Sequence, residues 1–157
     1  MDYEQQVVAK MEENKPKGLS LKYVRGNVTD LSEYADQQFD FSIDKGTLDA
    51  IAVDNREETV SQCNAYFNEM VRTLKPHGVF MVVSLLQPHV LKMLTDFFVR
   101  ENEVSKWQKQ NLFTFKVFRI DKVEGYAEKQ FIKYMVTVKK NPIDDSNAQQ
   151  AEMRRKF

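Results

Sequence analysis

The sequence predicts an α/β protein whose sheet carries helices on its faces and ends in an antiparallel hairpin. Strand-like segments alternate with helical ones along the chain, which is typical of a parallel sheet. The short apolar run Val79–Leu85, interrupted only by Ser84, is typical of a strand that is covered on both faces. With 157 residues, 42% of them hydrophobic, the chain fits one domain that has its own core.

One helix and one strand are predicted for the first 25 residues. Val7 and Met11 lie on the apolar face of a helix over residues 3–14, and the turn that begins at Pro16 would end it. Residues 19–25 then alternate between apolar and polar side chains, which predicts a strand.

The middle of the chain is predicted to hold a strand, a long helix and a second strand. The alternation over Phe39–Ile43 predicts a strand that stops at Asp44-Lys45-Gly46. Apolar side chains recur at steps of three or four from residue 58 to 74, so this segment is predicted to be an amphipathic helix. A Pro/Gly stop separates it from the strand over residues 79–85.

The last third is predicted to hold a helix, a hairpin and a tail. Pro88 suits the first turn of a helix, because a proline there forfeits no helical hydrogen bond. Residues 112–120 and 130–138 are rich in aromatic and β-branched side chains, and their short connection predicts an antiparallel hairpin. Residues 141–157 are polar, and we expect a tail that is flexible or docks a partner.

Charge and composition exclude several classes of protein. Residues 1–60 carry seven Lys/Arg and thirteen Asp/Glu, whereas residues 61–157 carry sixteen and ten, so nucleic-acid binding is not expected. This division is compatible with an acidic pocket for a cationic ligand, and equally with solvated faces that happen to segregate. Cys63, the single cysteine, excludes a disulfide framework and a cysteine-based zinc site, and it suits a reducing compartment.

No membrane or export signal is predicted. No uninterrupted apolar stretch reaches membrane-spanning length, and the polar, acidic first residues predict no leader peptide. We therefore expect a cytoplasmic protein, and the sequence predicts no metal site.

The densest cluster of functional groups lies at Asp44–Asp49. Ligands in α/β sheets bind beyond the carboxyl ends of the strands, and this segment leaves a predicted strand with two carboxylates, an amine, a hydroxyl and a glycine. The alternative is a helix start, in which Asp44 or Thr47 caps the following turn and Gly46 relaxes the backbone. The five glycines lie too far apart to form a glycine-rich phosphate loop.

The segment Phe39–Ile51, with its Asp-Lys-Gly-Thr-Leu-Asp-Ala core, resembles the fourth-strand signature of one enzyme group. That group comprises methyltransferase-like proteins that modify lysines of translation elongation factor 1-alpha, which are seven-strand, class I S-adenosylmethionine-dependent methyltransferases. Val71–Phe80 resembles the Arg-x-Leu-Lys-Pro-Gly-Gly approach to the fifth strand, and Ser84–Leu91 also fits. The resemblance covers the chain from residue 2 to about residue 140. It implies a Rossmann-like methyltransferase sheet.

The resemblance implies a cofactor site for S-adenosylmethionine. Asp2 would accept hydrogen bonds from both ribose hydroxyls, since one carboxylate can serve a diol. Asn27, where many relatives have Asp, would accept from the adenine amine, and Val28 would lie against the adenine ring. The cofactor's methionine portion and methyl group would lie beside Asp44, Lys45 and Gly46.

The resemblance also implies how a methyl group would be transferred. Thr47 and Asp49 would face the incoming substrate, a protein such as a translation factor. A lysine nucleophile must lose its proton, and Asp44 and Asp49 are the candidate catalytic carboxylates that would orient or help deprotonate it. We expect a methyltransferase of the protein-lysine-modifying type. The alternative is a catalytically inactive methyltransferase fold, retained as a subunit or scaffold in a larger assembly.

The sequence departs from the family before the position that matches Asp2. Relatives have their first two strands and a glycine-rich cofactor loop there, in a sheet of order 3-2-1-4-5-7-6. We therefore expect an N-terminally truncated sheet that lacks strands 1 and 2, with a partial methyltransferase domain over residues 1–140. The edge of strand Phe39–Ile43 would then be filled by residues 19–25, by a partner chain, or by further sequence.

Overall fold

The computed structural model describes residues 1–106, 113–120 and 133–142. In chain order the elements are α1 (Gln5–Glu13), β1 (Phe39–Lys45), α2 (Thr47–Ile51), α3 (Glu57–Thr73), β2 (Leu74–Ser84), α4 (Pro88–Lys106), β3 (Phe113–Ile120) and β4 (Lys133–Lys140). The connection between β3 and β4 and the tail from residue 143 onward lie outside the described residues, so the expectation for 141–157 stays a prediction. None of the described helices is long and apolar enough to cross a membrane.

The four strands form one mixed sheet of order β1-β2-β4-β3. β1 and β2 are parallel, β4 is antiparallel to β2, and β3 and β4 pair as the predicted antiparallel hairpin. This order matches the 4-5-7-6 part of the order that the resemblance implies. The α/β fold with a C-terminal hairpin is therefore confirmed.

β2 begins at Leu74 rather than at the predicted residue 79. Phe39 pairs with Leu74 and Phe41 with Val79, so the register shifts between the two pairs and β2 bulges. His77 in the bulge has a left-handed φ of +68°. The predicted Pro/Gly stop is thus a bulge within the strand, because pairing with β1 extends β2 past it.

The predicted strand over residues 19–25 is wrong. Only Arg25 forms a bridge, a parallel one with Asp2, in which the Asp2 amide donates to Val24 O at 3.0 Å and the Gly26 amide donates to Asp2 O at 3.0 Å. The side chains of Leu19 and Leu21 are exposed, and those of Tyr23 and Val24 are half-buried. Alternation alone did not make a strand, because no neighbouring strand pairs along this segment among the described residues.

Helices α2, α3 and α4 cover one face of the sheet and enclose the core. Tyr66 of α3 packs edge-on against Phe80 of β2, with ring centroids 5.9 Å apart, and Phe98 of α4 packs on Phe113 of β3 at 5.1 Å. Leu48 of α2 is fully buried. Burial of these large aromatic and aliphatic side chains is the main stabilising contribution to the fold.

The opposite face of the sheet is much less covered. Phe41 and Ile43 of β1 and Phe118 of β3 are 45%, 64% and 44% exposed, and α1 buries no residue. β2, predicted to be covered on both faces, instead alternates between buried and half-buried side chains. Among the described residues, no strand pairs with the free edge of β1, so direct pairing with residues 19–25 does not occur.

Candidate active site at the strand exits

Asp44 caps helix α2 from the end of β1. Its carboxylate is 3% exposed and accepts hydrogen bonds from the Thr47 amide at 2.7 Å, the Leu48 amide at 2.8 Å and the Tyr66 hydroxyl at 2.9 Å. These backbone groups are among the amides that the first turn of a helix leaves without partners. The predicted helix start is therefore present in this segment, with Asp44 as the residue that caps it.

The turn between β1 and α2 is held by backbone geometry as well. Gly46 has a left-handed φ of +86°, which glycine adopts without the steric penalty of other residues. Its amide donates to Val83 O at 3.2 Å, so the turn stays attached to β2. Gly46 and Thr47 are half-buried and Lys45 is exposed, so this turn is a rigid, partly accessible rim above the sheet.

Burial and the neighbouring Asp44 carboxylate strongly raise the pKa of the Tyr66 phenol. Desolvation is the largest cause of a raised pKa for its phenol, and the negative charge and hydrogen bond of Asp44 add to it. The hydroxyl therefore stays protonated and acts as a permanent donor to Asp44. Tyr66 had no predicted role, but its place on the apolar face of the predicted helix could have indicated one.

Asp49 joins helix α2 to the segment that leaves β2. One carboxylate oxygen accepts from the Ser84 hydroxyl at 2.5 Å, and the other accepts from the Leu85 amide at 3.1 Å. The same Ser84 oxygen accepts from the Leu86 amide at 2.7 Å. The segments that leave β1 and β2 are therefore in contact. Ser84 was not among the predicted site residues, although its position as the only polar residue in an apolar run was a signal.

His89, in the first turn of α4, makes a second connection to α2. Its Nε2 lies 2.7 Å from the carbonyl oxygen of Ala52, which ends α2. Because a carbonyl oxygen only accepts, Nε2 carries the proton and donates. The start, middle and end of α2 are thus tied to α3, to the exit of β2 and to α4.

The other predicted cofactor residues, Asp2, Asn27 and Val28, lie near one another. Asp2 is exposed, and its backbone forms the β-bridge with Arg25. One oxygen of its carboxylate accepts a hydrogen bond from the Glu4 amide at 2.9 Å. Asn27 is exposed, whereas Val28 packs against the core. The structure therefore brings the predicted site residues together in two groups, one around Asp2 and one around Asp44.

The Asn27 side chain is engaged within its own turn. Its carbonyl oxygen accepts the Thr29 amide at 3.1 Å and the Thr29 hydroxyl at 2.9 Å. An adenine amine would have to share that oxygen with both donors, so a contact with adenine through this atom stays a prediction.

Neither a reactive thiol nor a metal centre accompanies these groups in the described part of the chain. Cys63 is fully buried, and desolvation raises the pKa of its thiol to about 11, so the reactive thiolate is scarce at neutral pH. No group of three or more His, Cys, Asp or Glu side chains among the described residues could hold a metal ion. The arrangement is suited to holding and orienting ligands.

Comparison with known families decides the identity of the fold. The family described as "Methyltransferase domain" matches residues 1–137. The chain belongs to this methyltransferase family. The strand exits around Asp44 and Asp49 are therefore the carboxyl edge of a methyltransferase sheet, where ligands of such folds bind.

Curated relatives agree with this membership. The methyltransferase domain is 37% identical over 92 residues to the "eEF1A lysine and N-terminal methyltransferase homolog" of Drosophila pseudoobscura pseudoobscura, and 32% identical over 102 residues to the Homo sapiens "eEF1A lysine and N-terminal methyltransferase". These matches cover 59% and 64% of this chain but 14% of each relative, so the chain spans a small part of their length. The predicted resemblance to this group is confirmed.

Two solved structures show the same fold at low sequence identity. N-methyltransferase NodS from Bradyrhizobium japonicum WM9, in complex with S-adenosyl-L-homocysteine, has a TM-score of 0.60 at 10% identity and matches 90% of this chain and 65% of its own. A SAM-dependent methyltransferase from Methanosarcina mazei has a TM-score of 0.54 at 15% identity, covering 90% and 81%. The Rossmann-like methyltransferase fold is therefore confirmed.

Proposed function

We propose that this methyltransferase domain binds S-adenosylmethionine and methylates a lysine side chain of a protein, with elongation factor eEF1A as the leading substrate. The observation that carries the proposal is the junction of the two strand exits, where the Asp44-capped turn meets the segment after β2. Membership of the methyltransferase family and relatives named for eEF1A lysine methylation support it.

On the cofactor side, we assign binding to the two groups that the structure forms. Asp2 keeps one carboxylate oxygen beyond the contact with Glu4 and suits the ribose diol. Half-buried Val28 is assigned to the adenine ring, and Asn27 precedes it in the chain. Lys45 and Gly46 would lie along the methionine portion. S-adenosylmethionine, when bound, supplies an electrophilic methyl group on a cationic sulfonium.

Asp44 contributes by holding the turn in shape. Its buried carboxylate already accepts three hydrogen bonds, two of them from the backbone of the segment that bears Thr47. A base would need a free oxygen directed at the acceptor amine. We therefore assign Asp44 to the orientation of the Lys45-Gly46-Thr47 backbone, with Thr47 on the acceptor side. Positioning of this kind is the main contribution that a protein makes to an in-line transfer.

Calorimetric titration of the chain with S-adenosylmethionine tests the cofactor assignment. Asp2→Asn should weaken binding by roughly tenfold or more, because a hydrogen bond to a charged acceptor is lost. Glu4→Gln is the matched control, since it removes one negative charge two residues away and should leave the affinity unchanged. Absence of binding at millimolar cofactor, or equal affinities of the two variants, would contradict the assignment.

Methyl transfer to purified eEF1A, followed by mass spectrometry, tests the substrate. We expect the added mass on a lysine side chain. Modification of the N-terminal amine alone, by a chain that binds the cofactor, would show that the lysine assignment is wrong.

The same proposal places the protein in the cytoplasm. A reducing compartment suits its free cysteine, Cys63, and the proposed substrate is a translation factor. The free edge of β1, beside Phe39–Ile43, supports pairing with a further strand, which a partner chain could supply.

A further inference from the structure

Asp49 lies at the centre of a chain of hydrogen bonds that spans two elements of the fold. Its carboxylate on α2 accepts the Ser84 hydroxyl and the Leu85 amide, and the Ser84 oxygen accepts the Leu86 amide. We call these four residues the Asp49 bridge. Ser84 is 2% exposed, so its hydroxyl has no solvent alternative to these partners.

We propose that Asp49 is a positioning residue that fixes the segment after β2, and that it does not contact the acceptor. The effect on methyl transfer rests on the proposed function, whereas the positioning of the segment is argued from its hydrogen bonds alone. One oxygen of Asp49 accepts from Ser84 at the end of β2 and the other from the Leu85 amide, so both oxygens are engaged with the exit of β2.

The backbone of the segment shows why it needs support. Leu86 has a left-handed φ of +49°, which is sterically unfavourable for a residue with a β-carbon. The hydrogen bond from its amide to Ser84 closes this turn, and Asp49 orients the Ser84 hydroxyl that accepts it. Leu86 also packs against the core. Asp49 thus acts on Leu86 through Ser84, without touching its amide.

The hydrogen bonds from Asp49 through Ser84 to Leu86 form a relay. A positioning role through this relay and direct contact with the acceptor predict different effects on the Leu86 amide. If Asp49 binds the acceptor, its removal changes catalysis while the Leu86 amide stays protected. If Asp49 positions the segment, its removal exposes both the Leu85 amide, which it binds, and the Leu86 amide, which it does not bind.

Amide hydrogen exchange, measured by NMR on the whole chain, separates these cases. Asp49→Ala should accelerate exchange of the Leu85 and Leu86 amides by roughly tenfold or more, since a hydrogen bond to a charged acceptor is lost and its neighbour is loosened. Exchange of the Val82 amide in the sheet is the internal reference. Normal protection of Leu86 in Asp49→Ala would overturn the proposal.

Asp54→Ala is the matched control for a general loss of stability. Asp54 also accepts one hydroxyl, from Thr59 at 2.7 Å, and one backbone amide, from Arg56 at 3.0 Å, together with the Arg56 Nε at 2.6 Å, but it lies before α3 and outside the Asp49 bridge. This variant should leave the Leu85 and Leu86 amides protected. Equal acceleration in both variants would assign the effect to global opening and overturn the proposal.

Kinetics with S-adenosylmethionine and eEF1A supply the second test. Asp49→Ala and Ser84→Ala should lower kcat by similar factors, and the double variant should lose little more, because both changes open the same relay. Ser84→Ala with wild-type kcat, beside a much slower Asp49→Ala, would overturn the proposal in favour of direct contact. An inactive wild-type chain would contradict the proposed function, while the exchange experiment would still decide the role of Asp49.

Discussion

Replacing Tyr66 with phenylalanine isolates the hydrogen bond that holds the Asp44 carboxylate from the helix layer. The substitution removes one oxygen and keeps the ring, which packs edge-on against Phe80. Tyr66 is 2% exposed, so water does not replace the lost donor freely. Asp44 keeps its two backbone hydrogen bonds, from Thr47 and Leu48, so the loss is confined to one contact.

The expected cost follows from the charge and burial of the acceptor. A hydrogen bond to a charged group contributes about 1.5–3 kcal/mol, and both partners here are buried, so we expect Tyr66→Phe to lower the free energy of unfolding by that amount. For a protein of this size the melting temperature should fall by roughly 3–12 °C. The slope of a urea titration should stay unchanged, since the surface exposed on unfolding is the same.

Urea denaturation followed by circular dichroism measures this difference. Tyr34→Phe is the control, because the Tyr34 ring packs on Phe39 at 5.3 Å but its hydroxyl makes no hydrogen bond to the described residues. It should cost much less. A Tyr66→Phe variant as stable as the control would refute the account of Asp44 as a buried carboxylate that depends on three donors.

Three further predictions concern the turn, the helix layer and pH. Gly46→Ala should cost about 1–2 kcal/mol in urea titrations, because the left-handed φ is unfavourable for alanine although no atom lies within 4 Å of the added carbon; an unchanged midpoint would contradict this. Lys140→Met should cost ~1–2 kcal/mol, because its ammonium donates to Val71 O at 2.8 Å and Leu74 O at 2.9 Å at the end of α3; Lys139→Met, on an exposed position, is the control. Glu69→Gln should destabilise the protein at pH 7 and do so progressively less below pH 4.5. The hydrogen bond from Arg72 lowers the pKa of Glu69 from its ordinary 4.5. The ionised carboxylate therefore stabilises the fold above the pKa of the unfolded state, and this contribution is lost as the pH falls through the pKa of the folded state. Unfolding titrations across that range should show the difference shrink; a constant difference would contradict the ion pair's role.

Much of the fold could be predicted because local pattern and tertiary burial agree there. The stripe from Cys63 to Met70 is buried as the helical spacing requires, and β1 begins at the predicted Phe39 and runs two residues past the predicted end, to Lys45. Residues 19–25 show the opposite case, since their alternation had no adjacent strand to pair with along their length. The start of β2 was missed because the pairing of Phe39 with Leu74 extends the strand across a bulge that local sequence marks as a stop.

The position of the candidate site in the fold could be predicted from sequence, but its hydrogen bonds could not. Asp44 and Asp49 were predicted as acidic groups at a strand exit, and both lie there. Which donors satisfy them depends on residues 22 and 35 positions away along the chain, Tyr66 and Ser84. Spacing within a motif carries no information about such distant partners. The sequence thus predicts that these carboxylates contact the substrate, whereas their hydrogen bonds support the positioning roles proposed above.

The uncovered face of the sheet also governs how the chain behaves in concentrated solution. Phe41, Ile43 and Phe118 leave apolar surface open to solvent, and the formal net charge at pH 7 is zero. Mutual electrostatic repulsion, which keeps many proteins apart, is therefore weak near neutral pH, while apolar contact between molecules is favourable. Colloidal stability of this methyltransferase domain should accordingly improve as the pH moves away from 6.7, or once that face is covered.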